Sequence, residues 1–165
     1  MIKPTLNALW NNYPDGGSLS RGELYDAIGW SDVKDKPAFE NTCAVRMSLC
    51  LIKSGVYLPQ RMPINAGPFK GKLIEPGQAA LTRLLSRDTF FGAPKKINYE
   101  NRYAELKNKQ GIISFMQIPG YTIDGALSGH IDLVRNGTFL YLWDTLDCRG
   151  ACKWAAKELL FWSLA

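Results

Sequence analysis

Apolar residues in the first half of the chain recur at helical spacing. Leu6, Leu9 and Trp10 predict a short helix within residues 4–12, with Pro4 suited to its first turn. Tyr13-Pro14-Asp15-Gly16-Gly17 breaks it. Ser20-Arg21-Gly22-Glu23 has the form of a capping box and opens a second helix, Glu23 to about Gly29. Residues 31–40 are polar, contain Pro37 and read as a loop. The best-defined helix runs from Cys43 to Lys53, with Thr42 placed to cap it and Ser54-Gly55 to end it. A loop rich in proline and glycine fills 56–76. Another helix runs from Gly77 to about Ser86. Residues 87–110 are polar and irregular, with a turn of helix around Tyr103–Lys107.

The period then changes. Residues 111–118 form an apolar run of strand length, His130–Val134 a second and Phe139–Trp143 a third. Asn136-Gly137 between the last two is a strong hairpin signal. The aromatic content of residues 157–162 favours a final strand. The expected class is α+β, with N-terminal helices packed on an antiparallel sheet. No linker or repeat divides residues 1–165, so one domain is expected.

Composition narrows the function. The chain has 165 residues, 46% of them hydrophobic, enough for a core, and only 21% charged, too few for disorder. No apolar run approaches the roughly 18–20 residues of a membrane helix, so no membrane insertion is expected. Nor does the N-terminus read as a secretory signal. The net charge of +5 leaves a basic binding module open, with Trp10, Trp30 and Phe69 as scattered aromatics. Against nucleic acid as partner, Lys95-Lys96 is the only basic doublet. There is no phosphate-binding glycine loop and no Cys-x-x-Cys pair, so neither a nucleotide cofactor nor a metal site is expected.

The chemistry centres on Cys43 and the single histidine, His130. A thiol at a helix start meets free N–H groups and the positive end of the helix dipole, which favour the thiolate. Fast alkylation near pH 6 is expected of such a thiol. His130 opens a strand after Ser128-Gly129, the glycine leaving room beside the imidazole. Cysteine at a helix start against histidine at a strand start is how papain-like enzymes build nucleophile and base. The Cys43 N–H then supplies part of an oxyanion hole. Cys50, seven residues on and on the same helix face, reads as a core residue.

Glu40-Asn41-Thr42-Cys43-Ala44-Val45-Arg46-Met47-Ser48 resembles the nucleophile motif of the fourth family of type VI secretion amidase effectors. Ser128-Gly129-His130-Ile131-Asp132-Leu133 resembles its histidine motif. Leu9 to Pro14 and Trp154 to Trp162 are also similar to that family, whereas about residues 60–110 do not match. The resemblance implies a papain-like fold of the NlpC type and a cysteine amidase. Its substrate would be peptidoglycan, cut between D-glutamate, through its γ-carboxyl, and meso-diaminopimelate. It further implies export by the type VI secretion machinery, action in the periplasm of a neighbouring bacterium and a cognate immunity protein. No cofactor is implied. A papain-like protease or deamidase acting on protein is the nearest alternative.

A third catalytic residue should accept the Nδ1–H of His130. It is expected on the following strand, where Asp144 is the candidate. A two-residue turn pairs position 130 with 143 and leaves Asp144 one step off, whereas a longer loop or bulge brings it opposite His130. Asp132, about 7 Å along His130's own strand face, reads more readily as a surface charge. Asp147 is a further option. Cys148 and Cys152 are four apart, within reach of a disulfide, which periplasmic action would favour.

Overall fold

The structure, a computed structural model, describes residues 3–15, 17–59, 61–136, 138–139 and 153–165. Helix α1 (Leu6–Asn12) starts one residue after Thr5, whose hydroxyl accepts the Ala8 N–H. Pro4 therefore lies before the cap rather than inside the first turn. Helix α2 (Arg21–Ala27) carries the expected capping box between Ser20 and Glu23, with both reciprocal bonds made. The loop after it contains a 3-10 turn, Pro37–Phe39. That turn is held by the Tyr25 hydroxyl, which donates to Phe39 O at 2.7 Å, and by ring contacts among Tyr25, Trp30 and Phe39. This anchoring sets where the chain enters α3 (Cys43–Lys53), whose bounds are those the spacing predicts.

All residues of α3 from Cys43 to Ile52 are buried. A helix covered on every side is a central one, and α1, the helix Gln78–Leu85 and the strand His130–Arg135 pack around it. Residues read as loop after α3 hold a short antiparallel pair, β1 (Met62–Pro63) with β2 (Leu73–Ile74). Helix α4 (Gln78–Leu85), strand β3 (Lys95–Lys96) and helix α5 (Arg102–Leu106) follow. Then come β4 (Gln110–Met116), a small exposed pair β5 (Thr122–Ile123) and β6 (Ala126–Leu127), β7 (His130–Arg135), β8 (Thr138–Phe139) and β9 (Glu158–Ser163). The main sheet has the order β3-β9-β4-β7-β8, and every neighbouring pair is antiparallel. The α+β expectation holds, and the C-terminal segment is a strand. Arg135 pairs with Thr138 and Val134 with Phe139, the register of a two-residue connection at 136–137.

Sheet alternation divides the core. Ile112, Ile131, Leu133, Leu160 and Trp162 join the helices in one cluster, and Ile113, Phe115, Val134, Leu159 and Phe161 form a second on the opposite face. His130 and Asp132 lie at the same strand parity as Val134. Phe115 is the register partner of His130.

Arg46, 2% exposed, explains how a charged residue fits the centre of α3. Its guanidinium donates to Pro14 O at 2.6 Å, Leu19 O at 2.8 Å and the Thr42 hydroxyl at 3.0 Å. Thr42 is thus spent on Arg46 and makes no cap bond of its own. Ser48, two residues further along α3, accepts the Glu75 N–H and donates to Glu75 O. Arg46→Met strips three bonds from buried or half-buried acceptors and is expected to lower the unfolding free energy by about 3 kcal/mol or more. Urea denaturation checks this, and an unchanged midpoint would show the guanidinium to be dispensable.

Candidate active site

Asn41 performs the capping that Thr42 was expected to supply. Its Oδ1 accepts the Cys43 N–H at 3.1 Å, and its Nδ2 donates to Gly129 O at 2.9 Å and the Ser128 hydroxyl at 3.1 Å. One amide side chain thereby joins the start of the cysteine helix to the segment that leads into the histidine strand. An asparagine two residues before a helix start is a recognisable turn former. Nothing in the sequence shows that its amide reaches 87 residues along the chain. The bond also occupies the N–H expected to serve an oxyanion, so that use requires Asn41 to share or release it.

Cys43 is 4% exposed, with Sγ 4.0 Å from Gly129 O. Burial pushes its thiol up to about 11, against the pull of the Ile131 N–H, Asn41 and the Ala44 N–H. The expected low-pKa thiolate is therefore corrected. The helix start does favour the anion, but loss of solvent outweighs it. Cys50 is the core residue expected. It is fully buried, its sulfur donates to Leu9 O at 3.1 Å, and burial raises its thiol to about 12.

His130 is 5% exposed, and burial lowers its pKa below the ordinary value despite the opposing pull of Asp132. The Gly129 before it is needed for a different reason from the one expected. A Cβ there would sit 2.3 Å from Phe115 O and 2.4 Å from Gln78 Oε1, so the missing side chain admits α4 and β4 rather than the imidazole. Behind it lies a buried polar seam. Gln78 Nε2 donates to Ser114 Oγ at 2.6 Å and Thr82 Oγ1 at 3.2 Å, and the two hydroxyls are 2.7 Å apart.

Asp132 is not a surface charge. It is fully buried, with Oδ2 3.4 Å from His130 Nε2 and Oδ1 accepting the Leu133 N–H at 2.7 Å. A rise of two residues had suggested too long a reach, but side chains on one strand face can lean together. The carboxylate meets Nε2, whereas a partner on Nδ1 was expected. Asp144, Asp147, Cys148 and Cys152 lie outside the described residues, and so do the candidate third strand beyond Phe139 and the candidate disulfide.

Cys43 and His130 line a single cavity of about 410 Å³, together with Glu40, Asn41, Thr42, Ile118, Tyr121 and Lys153. A thiol, an imidazole biased to its neutral form and a buried carboxylate on that imidazole can together support nucleophilic acyl transfer. Lys153 and Asn41 are the lining residues that sequence reasoning passed over. Among the described residues no cluster of three acidic, histidine or cysteine side chains could hold a metal ion. Nor is any helix there long and apolar enough to cross a membrane.

Residues 39–162 match the family model described as type VI secretion system (T6SS), amidase effector protein 4, Tae4. A search of curated protein sequences finds no match. Among solved structures, the Tae4/Tai4 effector–immunity system of Salmonella typhimurium superimposes with a TM-score of 0.76 at 18% identity, covering 99% of this chain and 100% of that one. The type VI effector Tae4 from Enterobacter cloacae gives 0.75 at 20% identity, covering 99% and 98%. The Tae4-Tai4 complex from Enterobacter cloacae gives 0.73 at 21% identity, covering 99% and 100%. At these identities the structural likeness speaks for the fold, while the family model spans both the cysteine and the histidine segments. The chain belongs to the Tae4 family of type VI secretion amidase effectors.

Proposed function

We propose that residues 1–165 act as one cysteine amidase domain of papain-like, NlpC-type fold. It cuts peptidoglycan stem peptides between γ-D-glutamate and meso-diaminopimelate. The observation that carries the reading is the shared cavity of Cys43 and His130, in a chain of an amidase effector family. Export by the type VI machinery delivers it to the periplasm of a target cell. Complexes of the relatives with Tai4 support a cognate immunity protein for this chain.

The chemistry follows from the two protonation states. Burial keeps the thiol protonated and the imidazole neutral. As Sγ attacks the γ-glutamyl carbonyl, its proton passes to His130. Because Nε2 is directed at Asp132, Nδ1 is the nitrogen that takes it. The imidazolium then gives this proton to the departing diaminopimelate amine, leaving a thioester. Water enters, His130 accepts one of its protons and returns it to the departing sulfur, and the acyl group leaves as a carboxylic acid that ionises to solvent. Asp144 is the third catalytic residue in this reading; with Nδ1 serving the sulfur, it shares the Nε2–H with Asp132.

A digest of Gram-negative peptidoglycan is the direct test. Wild-type protein is expected to release fragments cut at the D-Glu–diaminopimelate bond, seen by mass spectrometry, and Cys43→Ala to release none. Intact stems with folded wild-type protein would sink the wall-amidase reading, and a protein substrate would be sought.

Asp144→Asn is expected to lower kcat by about 10²–10⁴-fold. A loss of that size in Asp132→Asn alone would move the third role to Asp132.

Protonating His130 removes the base, so kcat/KM falls as pH drops through the His130 pKa. Burial lowers that pKa, and the acid limb is therefore expected below about pH 6.5. The plateau should extend through about pH 9, because the Cys43 thiol, raised to about 11, stays protonated there. Iodoacetamide is expected to label Cys43 slowly at pH 6 and faster toward pH 10, followed by peptide mapping. An acid limb above pH 7, or fast labelling at pH 6, would point instead to a preformed thiolate–imidazolium pair.

A further inference from the structure

We propose that Lys153 is the specificity-determining cation of the site and anchors a substrate carboxylate beside the scissile amide. The inference rests on the amidase reading above. Lys153 opens a 3-10 turn, Lys153–Ala155, and lines the same cavity as Cys43 and His130. Its position relative to the histidine is set by packing. The next residue, Trp154, is 9% exposed and meets the Phe115 ring edge-on, with centroids 5.3 Å apart. Phe115 also meets the His130 ring, at 6.1 Å. A lysine carried on this stack is held at a fixed place against the reacting groups.

Among the described residues no carboxylate lies within ion-pair distance of this lysine. Lys34, Lys95 and Lys96 each form an ion pair with a carboxylate at the surface. Among the described residues Lys153 forms none, and Glu40, which also lines the cavity, lies beyond ion-pair distance. Lys153 is half-buried, and loss of solvent works against its charge while Asp132 and Cys43 work for it. A partly desolvated ammonium facing a cavity gains most from an incoming anion, through charge-assisted hydrogen bonds. The proposed substrate offers two. Glutamate joined through its γ-carboxyl keeps a free α-carboxylate on the acyl side of the bond. Diaminopimelate keeps a distal carboxylate on the leaving-group side.

Three peptides separate these sources: L-Ala-γ-D-Glu-meso-diaminopimelate-D-Ala, its analogue with the glutamate α-carboxylate as carboxamide, and its analogue with L-lysine in place of diaminopimelate. On the first, Lys153→Met is expected to raise KM by about 10–100-fold, with kcat changed far less, and Lys153→Arg to retain most of the affinity. Wild-type protein should show the same rise in KM on whichever analogue lacks the anchored carboxylate, and Lys153→Met should add nothing further there. Equal losses on all three peptides would overturn the anchor. So would a fall in kcat, or a displaced acid limb, at unchanged KM, which would make Lys153 a group that sets the charge on His130 and Cys43. Wild-type protein that cleaves none of the peptides would overturn the amidase reading beneath the inference, and the inference with it.

Discussion

Burial of α3 against β7 is the constraint on which the site depends. The helix is covered from Cys43 to Ile52, so it cannot shift along or rotate on the sheet without opening the core. A strand fixed at six consecutive register pairs to β4 cannot shift either. Cys43, the proposed nucleophile, stands at the first residue of the one element, and His130, the proposed base, at the first residue of the other. Their meeting is thus a by-product of core packing, and it needs no flexible loop to bring them together.

Polar groups buried in that core refine the alignment. Asn41 ties helix to strand entry, Arg46 gathers the carbonyls of the segment before α2, and Ser48 grips the backbone at Glu75. Each such group would cost stability if unpaired, so each has one satisfactory position for its partners. Apolar packing alone tolerates small slides. A set of hydrogen bonds running in different directions does not, and a reacting sulfur must be placed to within a fraction of an ångström.

Much of this was legible in the chain. The bounds of α3, the capping box of α2, the strand after Gly129 and its antiparallel pairing with Thr138–Phe139 all follow from local spacing. What escaped was long-range. Asn41 looks like a local cap until its second amide contact, across the fold, is seen. Gly129 announces a close approach but not what approaches. Asp132 reads as an exposed charge because charged residues usually are exposed, and its burial beside His130 is a tertiary fact. The thiol was misread for a related reason: a helix start can be seen in sequence, whereas the depth of burial that outweighs it cannot. The β5–β6 pair was missed because it is short and exposed, with little apolar pattern to reveal it.

The buried, protonated state of Cys43 also bears on chemical endurance. Peroxides and disulfides react with thiolates far faster than with thiols. Under the proposed mechanism the sulfur loses its proton only when substrate is attacked, and it presents little anion to oxidants between turnovers. A secreted hydrolase leaves a reducing interior for surroundings that oxidise exposed cysteine. For such a protein, the desolvation that makes the sulfur a poor anion at rest is also what preserves it as sulfur able to react on arrival.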